Sequence, residues 1–490
     1  MTDIRKLFIA NRAEIALRIV RSARRLGIAT VVPWHAQDRH GPALAEADET
    51  VQVFGEPPVS AWLDAAAMIR AALDSGCDAL HPGYGFLSEN AGFARAVAAA
   101  GLVFVGPDAA AIELMGDKIS ARKFALAHDV PVTPSADEAD DPATFAERAR
   151  AVGFPLLIKG AAGGGGKGMQ IVRDGAALAD AIAVARSESQ RYFGDGRLFA
   201  ERYVERPRHI EVQVFGDRQG HVIHLGEREC SIQRRFQKLI EETPAPGLAG
   251  GLRDRICSAA VRLAQAAGYV NAGTVECIVS PDGEFFFLEM NTRLQVEHPV
   301  TEMVTGLDLV ELQLRIAQGE PLPLAQADVR WHGHAIECRL LAEDADAGFV
   351  PDTGRVRLLR VPQGPGLRFD GGVTEGAPVT AAFDSMLAKL VTHGATRELA
   401  LSRARQALAD TVMLGVTLNA DFLSRVLQHP AFAAGETDTG FIERHRDALK
   451  PAALSDAERR LLLAVAARAL HEPAARPLSL PHAAMGAWRN

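Results

Sequence analysis

Two acidic residues and an amide in one stretch of the chain could hold a divalent cation. Residues 276–297 read ECIVSPDGEFFFLEMNTRLQVE. Asp282-Gly283 between two β-like runs predicts a hairpin with a two-residue type I′ turn, and counting back from it places Glu276 opposite Glu289. Two carboxylates about 5 Å apart repel each other unless a cation lies between them. With Asn291 they offer only oxygen donors, which suits Mg²⁺ or Mn²⁺.

The polar residues that follow this hairpin alternate with apolar ones. Because side chains on a strand alternate with a period of two, one face would carry Glu289, Asn291, Arg293, Gln295 and Glu297. The planar guanidinium of Arg293 suits a planar anion. In a straight strand Glu297 would lie about 13 Å beyond Arg293, so the segment must bend if both serve one site. A solvated polar face on an ordinary hairpin is the alternative.

A glycine-rich loop could cradle phosphates. It consists of Gly163, Gly164, Gly165, Gly166, Lys167 and Gly168. Such a ribbon of bare amides with one cation is typical of phosphate-binding loops, although the spacing is not that of a Walker A motif. Strands are predicted on both sides of it, so we interpret the loop as a lid that folds over phosphates. A mobile linker is the alternative.

Composition excludes several classes of function. The chain has 490 residues, enough for about three domains, and its net charge of −8 argues against a general nucleic-acid binder. The sequence contains no run of about 18 apolar residues, so no membrane span is predicted. The N-terminus lacks the apolar core of a signal peptide. The five cysteines are scattered and contain no C-x-x-C pair, which predicts a reduced, cytoplasmic protein.

The order of the predicted elements indicates mixed architecture. Strands and helices alternate up to about residue 114, which predicts a doubly wound, mostly parallel sheet. This domain is Rossmann-like but lacks the glycine fingerprint of a dinucleotide site. From about residue 331, short antiparallel strands and helices predict a separate α+β domain. The fold class is therefore α/β and α+β.

Three other stretches could contact ligands. Residues 81–90 follow a strand end, where open α/β sheets bind ligands. A predicted strand at 199–204 could offer backbone contacts to adenine. Residues 227–242 are rich in both charge signs, which usually indicates a solvated face, but Phe236 is unusual there and could stack on a base.

Several long motifs fall in the order of one known family. They are ANRAEIA at 10–16, HPGYGFLSEN at 81–90, MGDK at 115–118, RHIEVQ at 208–213, ECSIQRRFQK at 229–238, EMNTRLQVEHPVTE at 289–302 and ECR at 337–339. Over about residues 5–445 the chain resembles biotin carboxylase, the ATP-grasp component of biotin-dependent carboxylases. It looks most like the biotin carboxylase portion of a bacterial acyl-CoA carboxylase α subunit.

The resemblance implies an ATP-grasp fold in four parts. These are a Rossmann-like domain at 1–114, an ATP-grasp domain at 115–330 with its lid at about 131–203, a C-terminal α+β domain at 331–446, and a helical tail at 447–490. The tail would lead toward a carrier-linking domain. We therefore expect the chain to be the N-terminal portion of a longer polypeptide.

The resemblance also implies a reaction and a set of roles. ATP, bicarbonate and biotin would give ADP, phosphate and N1-carboxybiotin through carboxyphosphate, with Mg²⁺ or Mn²⁺. The implied catalytic residues are Glu297 as the base, Arg293, Lys238 and Arg339, which would stabilise the biotin enolate. Bicarbonate would bind Arg293, Gln295 and Val296, metal would bind Glu276, Glu289 and Asn291, and biotin would contact Tyr84, Gly85 and Arg339. ATP would contact Lys118, Lys159, Gly163, Gly164, Gly165, Gly166, Lys167, Glu201, Val204, His209, Gln233 and Phe236.

Three positions depart from the family's motifs, and one of them is Gly160, where Ala is common after the lysine. Ala13 replaces the usual Gly, and we expect a helix start to accommodate it easily. Phe236 replaces a frequent His, so it can stack on a nucleotide but cannot hydrogen-bond a ribose.

The chain lacks the AMKM motif that carries biotin, since its closest string, at 484–486, has no lysine. Biotin would therefore arrive on a separate carrier domain or protein. The other implied partners are a carboxyltransferase subunit and a second copy of the chain. The alternatives are an inactive ATP-binding scaffold and another ATP-grasp ligase that forms an acyl phosphate.

Overall fold

The computed structural model describes residues 3–161 and 168–471. The first part of the chain contains the predicted parallel sheet, whose strands lie in the spatial order Glu49–Gln52, Ala29–Trp34, Lys6–Ile9, Ala79–His81 and Val103–Phe104. Its α-helices are Ala13–Arg25, Pro42–Glu46, Ala65–Asp74, Ala91–Ala99 and Ala109–Gly116, and its 3₁₀ turns are Ala36–Asp38 and Pro58–Trp62. The prediction of a doubly wound, Rossmann-like start is confirmed.

Ala13 begins its helix with a left-handed backbone, at φ +55°. The expectation that a helix start accommodates alanine easily is therefore wrong, because a side chain in this region clashes with its own carbonyl and costs roughly 1–2 kcal/mol. Gly372 lies against this turn, where an added Cβ would approach the Cβ of Ala13 to 2.9 Å.

The piece that carries the glycine-rich loop is a small antiparallel sheet. Its strands lie in the order Ser135–Asp137, Leu198–Arg202, Leu156–Gly160 and Gln170–Val172, and it packs against the helices Phe145–Val152 and Leu178–Phe193, with a 3₁₀ turn at Glu138–Asp140. The last two strands pair antiparallel on either side of the loop, as predicted. The residues 163–167 of that loop lie outside the described residues.

One eight-stranded antiparallel sheet joins the middle of the chain to its C-terminal part. The strand order is Phe285–Asn291, Asn271–Val279, Arg208–Gly216, Val222–Arg234, Gln237–Thr243, His334–Leu341, Met386–Gly394 and Leu367–Gly371. The predicted α+β region from residue 331 thus continues the sheet of the middle part of the chain through the pairing of Gln237–Thr243 with His334–Leu341. Short paired strands lie at its margin, at Glu343–Asp344 with Val350–Pro351, Gly354–Arg355 with Pro378–Val379, and Leu358–Arg360 with Val412–Leu414.

Helices cover this sheet. They are Lys118–Ala127, Gly250–Ala266, His298–Thr305, Leu309–Ala317, Arg397–Asp410, Ala420–Gln428, Pro430–Ala433 and Phe441–Arg444, with a 3₁₀ turn at Gln326–Asp328. Residues up to Leu449 form one compact unit, and the helix Asp456–His471 belongs to a second. None of the described helices is long and apolar enough to cross a membrane.

The central hairpin has the predicted carboxylate pair but not the predicted turn. Ser280 and Glu284 close a three-residue loop in which Gly283 adopts φ +79°. A β-bulge between Glu276 and Cys277 then shifts the pairing by one residue. Because the longer turn and the bulge offset each other, Glu276 still pairs with Glu289.

Candidate active site

Most of the predicted site residues line one cavity of about 480 Å³, at the end of the eight-stranded sheet. These are Tyr84, Gly85, Lys118, Lys159, His209, Gln233, Phe236, Lys238, Glu276, Glu289, Asn291, Arg293, Gln295, Val296, Glu297 and Arg339. Residues from the Rossmann-like domain, the four-stranded antiparallel sheet and the C-terminal strands therefore meet the central hairpin in one place.

The opposed carboxylates each have a basic side chain beside them. Lys118 donates to Glu289, and the aspartate before it caps the helix that begins at Lys118. His209 Nε2 lies 2.9 Å from Glu276 Oε2, and Asn291 Nδ2 donates to Glu276 Oε1 at 2.9 Å. Two carboxylates and an amide oxygen fit the oxygen preference of Mg²⁺ and Mn²⁺.

Lys238 lies at the centre of an acidic cluster. Its Nζ donates to Glu211 at 2.6 Å, Glu276 at 2.8 Å and Glu297 at 2.7 Å. Burial alone would lower the pKa of Lys238, but the three carboxylates raise it well above its usual value. The ammonium is therefore charged and can bind the oxygens of a phosphate.

The chain bends between Asn291 and Glu297. The strand ends at Asn291, so the polar residues beyond it do not share a strand face, yet the turn that follows directs them into the same cavity. Glu297 immediately precedes the helix His298–Thr305 and is 2% exposed. Burial would raise the pKa of Glu297, but Lys238, Arg339 and Arg228 hold it well below its usual range.

Two of the predicted bicarbonate-binding side chains, those of Arg293 and Gln295, contact neighbouring side chains. Arg293 Nε lies 3.1 Å from Glu89 in the 81–90 loop. Gln295 donates to Glu276 at 2.6 Å and accepts from Arg228 at 2.8 Å. These contacts fix the guanidinium and the amide before any anion binds.

Arg339 lies between two carboxylates. Its Nε donates to Glu241 Oε1 at 2.6 Å, and its Nη2 donates to Glu297 Oε2 at 2.9 Å. Burial would lower the pKa of Arg339, but Glu241 and Glu297 raise it. The predicted base and the predicted enolate-binding group are thus in direct contact.

Two predicted ATP contacts are not among the described residues that line this cavity. Glu201 is buried in an ion pair with Lys159 and is outside the described cavity lining. The strand ends at Arg202, so Val204 lies beyond it and is likewise absent from that lining; the chain turns there, with Arg206 left-handed at φ +50°. The prediction of a strand reaching Val204 is therefore wrong.

Phe236 lies in the two-residue turn of the hairpin formed by Val222–Arg234 and Gln237–Thr243, and not on a strand face. Arg235 and Phe236 are both left-handed, at φ +47° and +66°, and the ring is 47% exposed at the cavity. The surrounding charge run is not a solvated face, since Arg228, Glu229, Glu241 and Glu242 are all at most 2% exposed.

Sequence reasoning missed several residues of the site. Met169 and Leu288 add apolar surface to the cavity. Arg228, Glu211 and Lys389 are fully buried charges that hold the catalytic groups, and Lys389 Nζ donates to the carbonyl of Val296 at 3.0 Å. The alternation of acids and bases in strands was the only available signal, and it does not distinguish a buried network from a solvated face.

A nucleotide-sized cavity with opposed carboxylates, clustered lysines and a glycine-rich hairpin defines an ATP-grasp enzyme. Three family models match the chain: "Biotin carboxylase, N-terminal domain" at 3–112, "Carbamoyl-phosphate synthase L chain, ATP binding domain" at 117–325, and "Biotin carboxylase C-terminal domain" at 337–444. The chain belongs to the biotin carboxylase family.

Individual relatives agree with this assignment. The biotin carboxylase of Halalkalibacterium halodurans is 46% identical over 443 residues, which cover 90% of this chain and 98% of that one. The mitochondrial methylcrotonoyl-CoA carboxylase subunit alpha of Oryza sativa subsp. japonica is 47% identical over 449 residues, and the match covers 91% of this chain and 61% of the relative. The chain thus spans about three fifths of that longer protein.

Solved structures show the same fold. The biotin carboxylase domain dimer of Hydrogenobacter thermophilus 2-oxoglutarate carboxylase, in complex with MgADP, ADP and bicarbonate, superposes with a TM-score of 0.90 at 40% identity, covering 92% of this chain and all of that one. The biotin carboxylase of Campylobacter jejuni in a nucleotide complex gives 0.88 at 40% identity, with 90% and 99% coverage. The predictions of an ATP-grasp fold and of membership in the biotin carboxylase family are confirmed.

Proposed function

We propose that this chain carboxylates biotin on a carrier domain with ATP and bicarbonate, as the first half-reaction of an acyl-CoA carboxylase. The observation that carries the proposal is the position of Glu297. It lies within hydrogen-bonding distance of Lys238 and Arg339, in the cavity that also holds the opposed Glu276 and Glu289. One positioned base beside cations and a metal-binding acid pair is what phosphoryl transfer to bicarbonate requires.

The first step forms carboxyphosphate. Arg293, Gln295 and the backbone of Val296 bind bicarbonate, and Glu297 takes its proton. The deprotonated oxygen attacks the γ-phosphorus, the bond to the β-phosphate oxygen breaks, and ADP leaves. Lys238 binds the transferring phosphoryl group, because its ammonium lies at the centre of the cluster.

Glu276, Glu289 and Asn291 would hold Mg²⁺ or Mn²⁺, which neutralises charge on the phosphates when bound. Lys118, Lys159 and His209 face the same space and are assigned to the nucleotide. Gln233 and Phe236 line its rim, and Phe236 offers an aromatic face to the base. The same role is proposed for Gly163, Gly164, Gly165, Gly166 and Lys167, for Glu201 through its pair with Lys159, and for Val204.

The ionic contacts of Glu297 explain how a carboxylate whose pKa is low in the unliganded site can act as a base during the reaction. Lys238 and Arg339 hold its pKa low while they bond to it. A phosphate that draws Lys238 away, and a biotin enolate that draws Arg339 away, would each raise the pKa of Glu297. In the second step the departing phosphate takes the N1 proton of biotin, Arg339 stabilises the resulting enolate near Tyr84 and Gly85, and N1 takes the carboxyl group of carboxyphosphate to give N1-carboxybiotin.

We further propose the partners and the domain limits of the chain. A biotin carrier, a carboxyltransferase subunit and a second copy of this chain are the proposed partners, and the dimer formed by the Hydrogenobacter domain supports the last. The domain limits are 1–114, 115–330, 331–446 and 447–490. The five free, buried cysteines support action in the cytoplasm.

Release of ADP tests the proposal. The protein would be mixed with MgATP and bicarbonate, with and without free biotin or a biotinylated carrier. Biotin-stimulated release is expected. Bicarbonate-dependent release indifferent to biotin would favour another ATP-grasp ligase, the alternative suggested by the carbamoyl-phosphate synthase match. ATP binding without hydrolysis would favour an inactive scaffold.

A further inference from the structure

Two buried glutamates beneath Arg339 have no role in the steps above. Glu241 and Glu337 face each other directly across neighbouring antiparallel strands, and both are 0% exposed. Glu337 and Arg339 share a strand face because they are two residues apart. Neither glutamate is among the described residues that line the cavity.

The two glutamates differ in their contacts. Glu241 Oε1 accepts the Nε hydrogen bond of Arg339 at 2.6 Å and also lies 2.5 Å from Arg339 Nη2, which donates to Glu297 as well. The other oxygen of Glu241 and both oxygens of Glu337 are buried and have no hydrogen-bond partner among residues 3–161 and 168–471. Glu241 therefore has a cation, whereas Glu337 has an opposed carboxyl group.

The nearby cations are engaged elsewhere. Lys238 bonds to Glu211, Glu276 and Glu297. Lys389, opposite Arg339 on the next strand, lies 3.1 Å from Glu14 and donates to the carbonyl of Val296.

An unpaired buried carboxylate is strongly unfavourable, so one proton must reside on the pair of glutamates. Burial raises the pKa of Glu241 to about 7 and raises that of Glu337 well above its usual value. Arg339 opposes this effect at both glutamates and Lys389 opposes it at Glu337, but only Glu241 accepts a hydrogen bond from a cation, so the proton belongs on Glu337.

We propose that Glu241 is a positioning residue for Arg339. It keeps its hydrogen bond to Arg339 Nε while Arg339 Nη2 moves from Glu297 to the biotin enolate. Glu337 remains a neutral acid opposite Glu241. The proposal rests on the proposed biotin carboxylation. When Glu297 accepts the proton of bicarbonate it becomes neutral, and its hydrogen bond to Arg339 weakens because the acceptor has lost its negative charge. Nη2 is then released toward the cavity, while Nε stays bonded to Glu241.

The matched variants Glu241→Gln and Glu337→Gln each replace a carboxyl group with an amide, at directly opposite positions on two neighbouring strands. Glu241→Gln should lower kcat/KM for free biotin by about tenfold or more, while bicarbonate-dependent ATP hydrolysis without biotin changes by less than about threefold. Glu337→Gln replaces a neutral acid with a neutral amide and should leave both rates within about twofold.

Three kinetic outcomes would overturn the positioning role. Glu241→Gln could leave biotin-dependent turnover intact, it could reduce both activities equally, or Glu337→Gln could match its loss. A wild-type protein without biotin-dependent turnover would instead refute the proposed function, and the positioning role with it.

Infrared difference spectra test the proton without turnover. Wild type minus Glu337→Gln should show the carbonyl stretch of a protonated carboxylic acid at neutral pH, and wild type minus Glu241→Gln should not. Absence of the band from the first difference would refute a neutral Glu337 even in a protein with full activity.

Discussion

Glu201 offers a quantitative test of how buried charge stabilises the four-stranded antiparallel sheet. This residue lies in the strand Leu198–Arg202 and is 3% exposed. It pairs with Lys159, accepts from Arg122 at 2.8 Å, and accepts from Thr133 at 2.6 Å. Burial would raise the pKa of Glu201, but Lys159 and Arg122 lower it from 4.5 to about 2.

The lowered pKa corresponds to about 3 kcal/mol of stability. Because the folded-state value lies below the unfolded one, this contribution is present in full above pH 4.5 and is lost as the pH falls toward 2. Glu201→Gln removes the charge and keeps the shape. We expect it to lower the free energy of unfolding by about 3 kcal/mol at neutral pH and by only about 1 kcal/mol near pH 3.

Urea unfolding of both proteins at the two pH values measures this difference. Glu205→Gln is the matched control, because Glu205 pairs with Arg173 at 2.8 Å on the surface, where both side chains are more than half exposed. It should change stability by less than about 0.5 kcal/mol. A Glu201→Gln penalty that is independent of pH, or no larger than that of the control, would refute the argument.

Two further substitutions test the backbone and the charge network. Ala13→Gly should raise the free energy of unfolding by about 1 kcal/mol, because glycine adopts φ +55° without a clash; a lower urea midpoint would contradict this. Arg228→Met should cost about 3–5 kcal/mol by leaving Glu211 buried without its guanidinium, and should raise the KM for bicarbonate more than that for ATP, because Gln295 loses its anchor. Adding Glu211→Met should recover part of the stability in urea unfolding; a double variant less stable than either single one would contradict the pairing.

The carboxylate pair could be predicted from the sequence even though its turn could not. The Asp282-Gly283 signal correctly indicated a hairpin, and the five residues from Glu289 to Glu297 do reach one cavity. The loop length and the bulge depend on how the strands pack against the rest of the sheet. The prediction missed one extra residue in the turn and one in the bulge, and these two errors in the register cancel.

The charged residues around the site could not be predicted in the same way. Arg228 and Glu241 lie on strands inside an eight-stranded sheet, and their partners come from elsewhere in the chain, Glu211 from one strand and Glu337 from another. A strand with a polar face has the same sequence pattern whether that face is exposed to solvent or lines a cavity. For Ala13 the signal was the glycine that the family's motif usually has at this position, because glycine adopts a left-handed backbone without a clash.

Carboxylation of biotin by labelled bicarbonate tests the role of Glu297 most directly. Wild type and Glu297→Gln would be given MgATP, biotin and [¹³C]bicarbonate, and labelled N1-carboxybiotin would be quantified together with nucleotide binding. Loss of the base should reduce carboxybiotin formation by about 10²–10⁴-fold with ATP still bound. Carboxybiotin formed by the variant within about threefold of the wild-type rate would contradict Glu297 as the base.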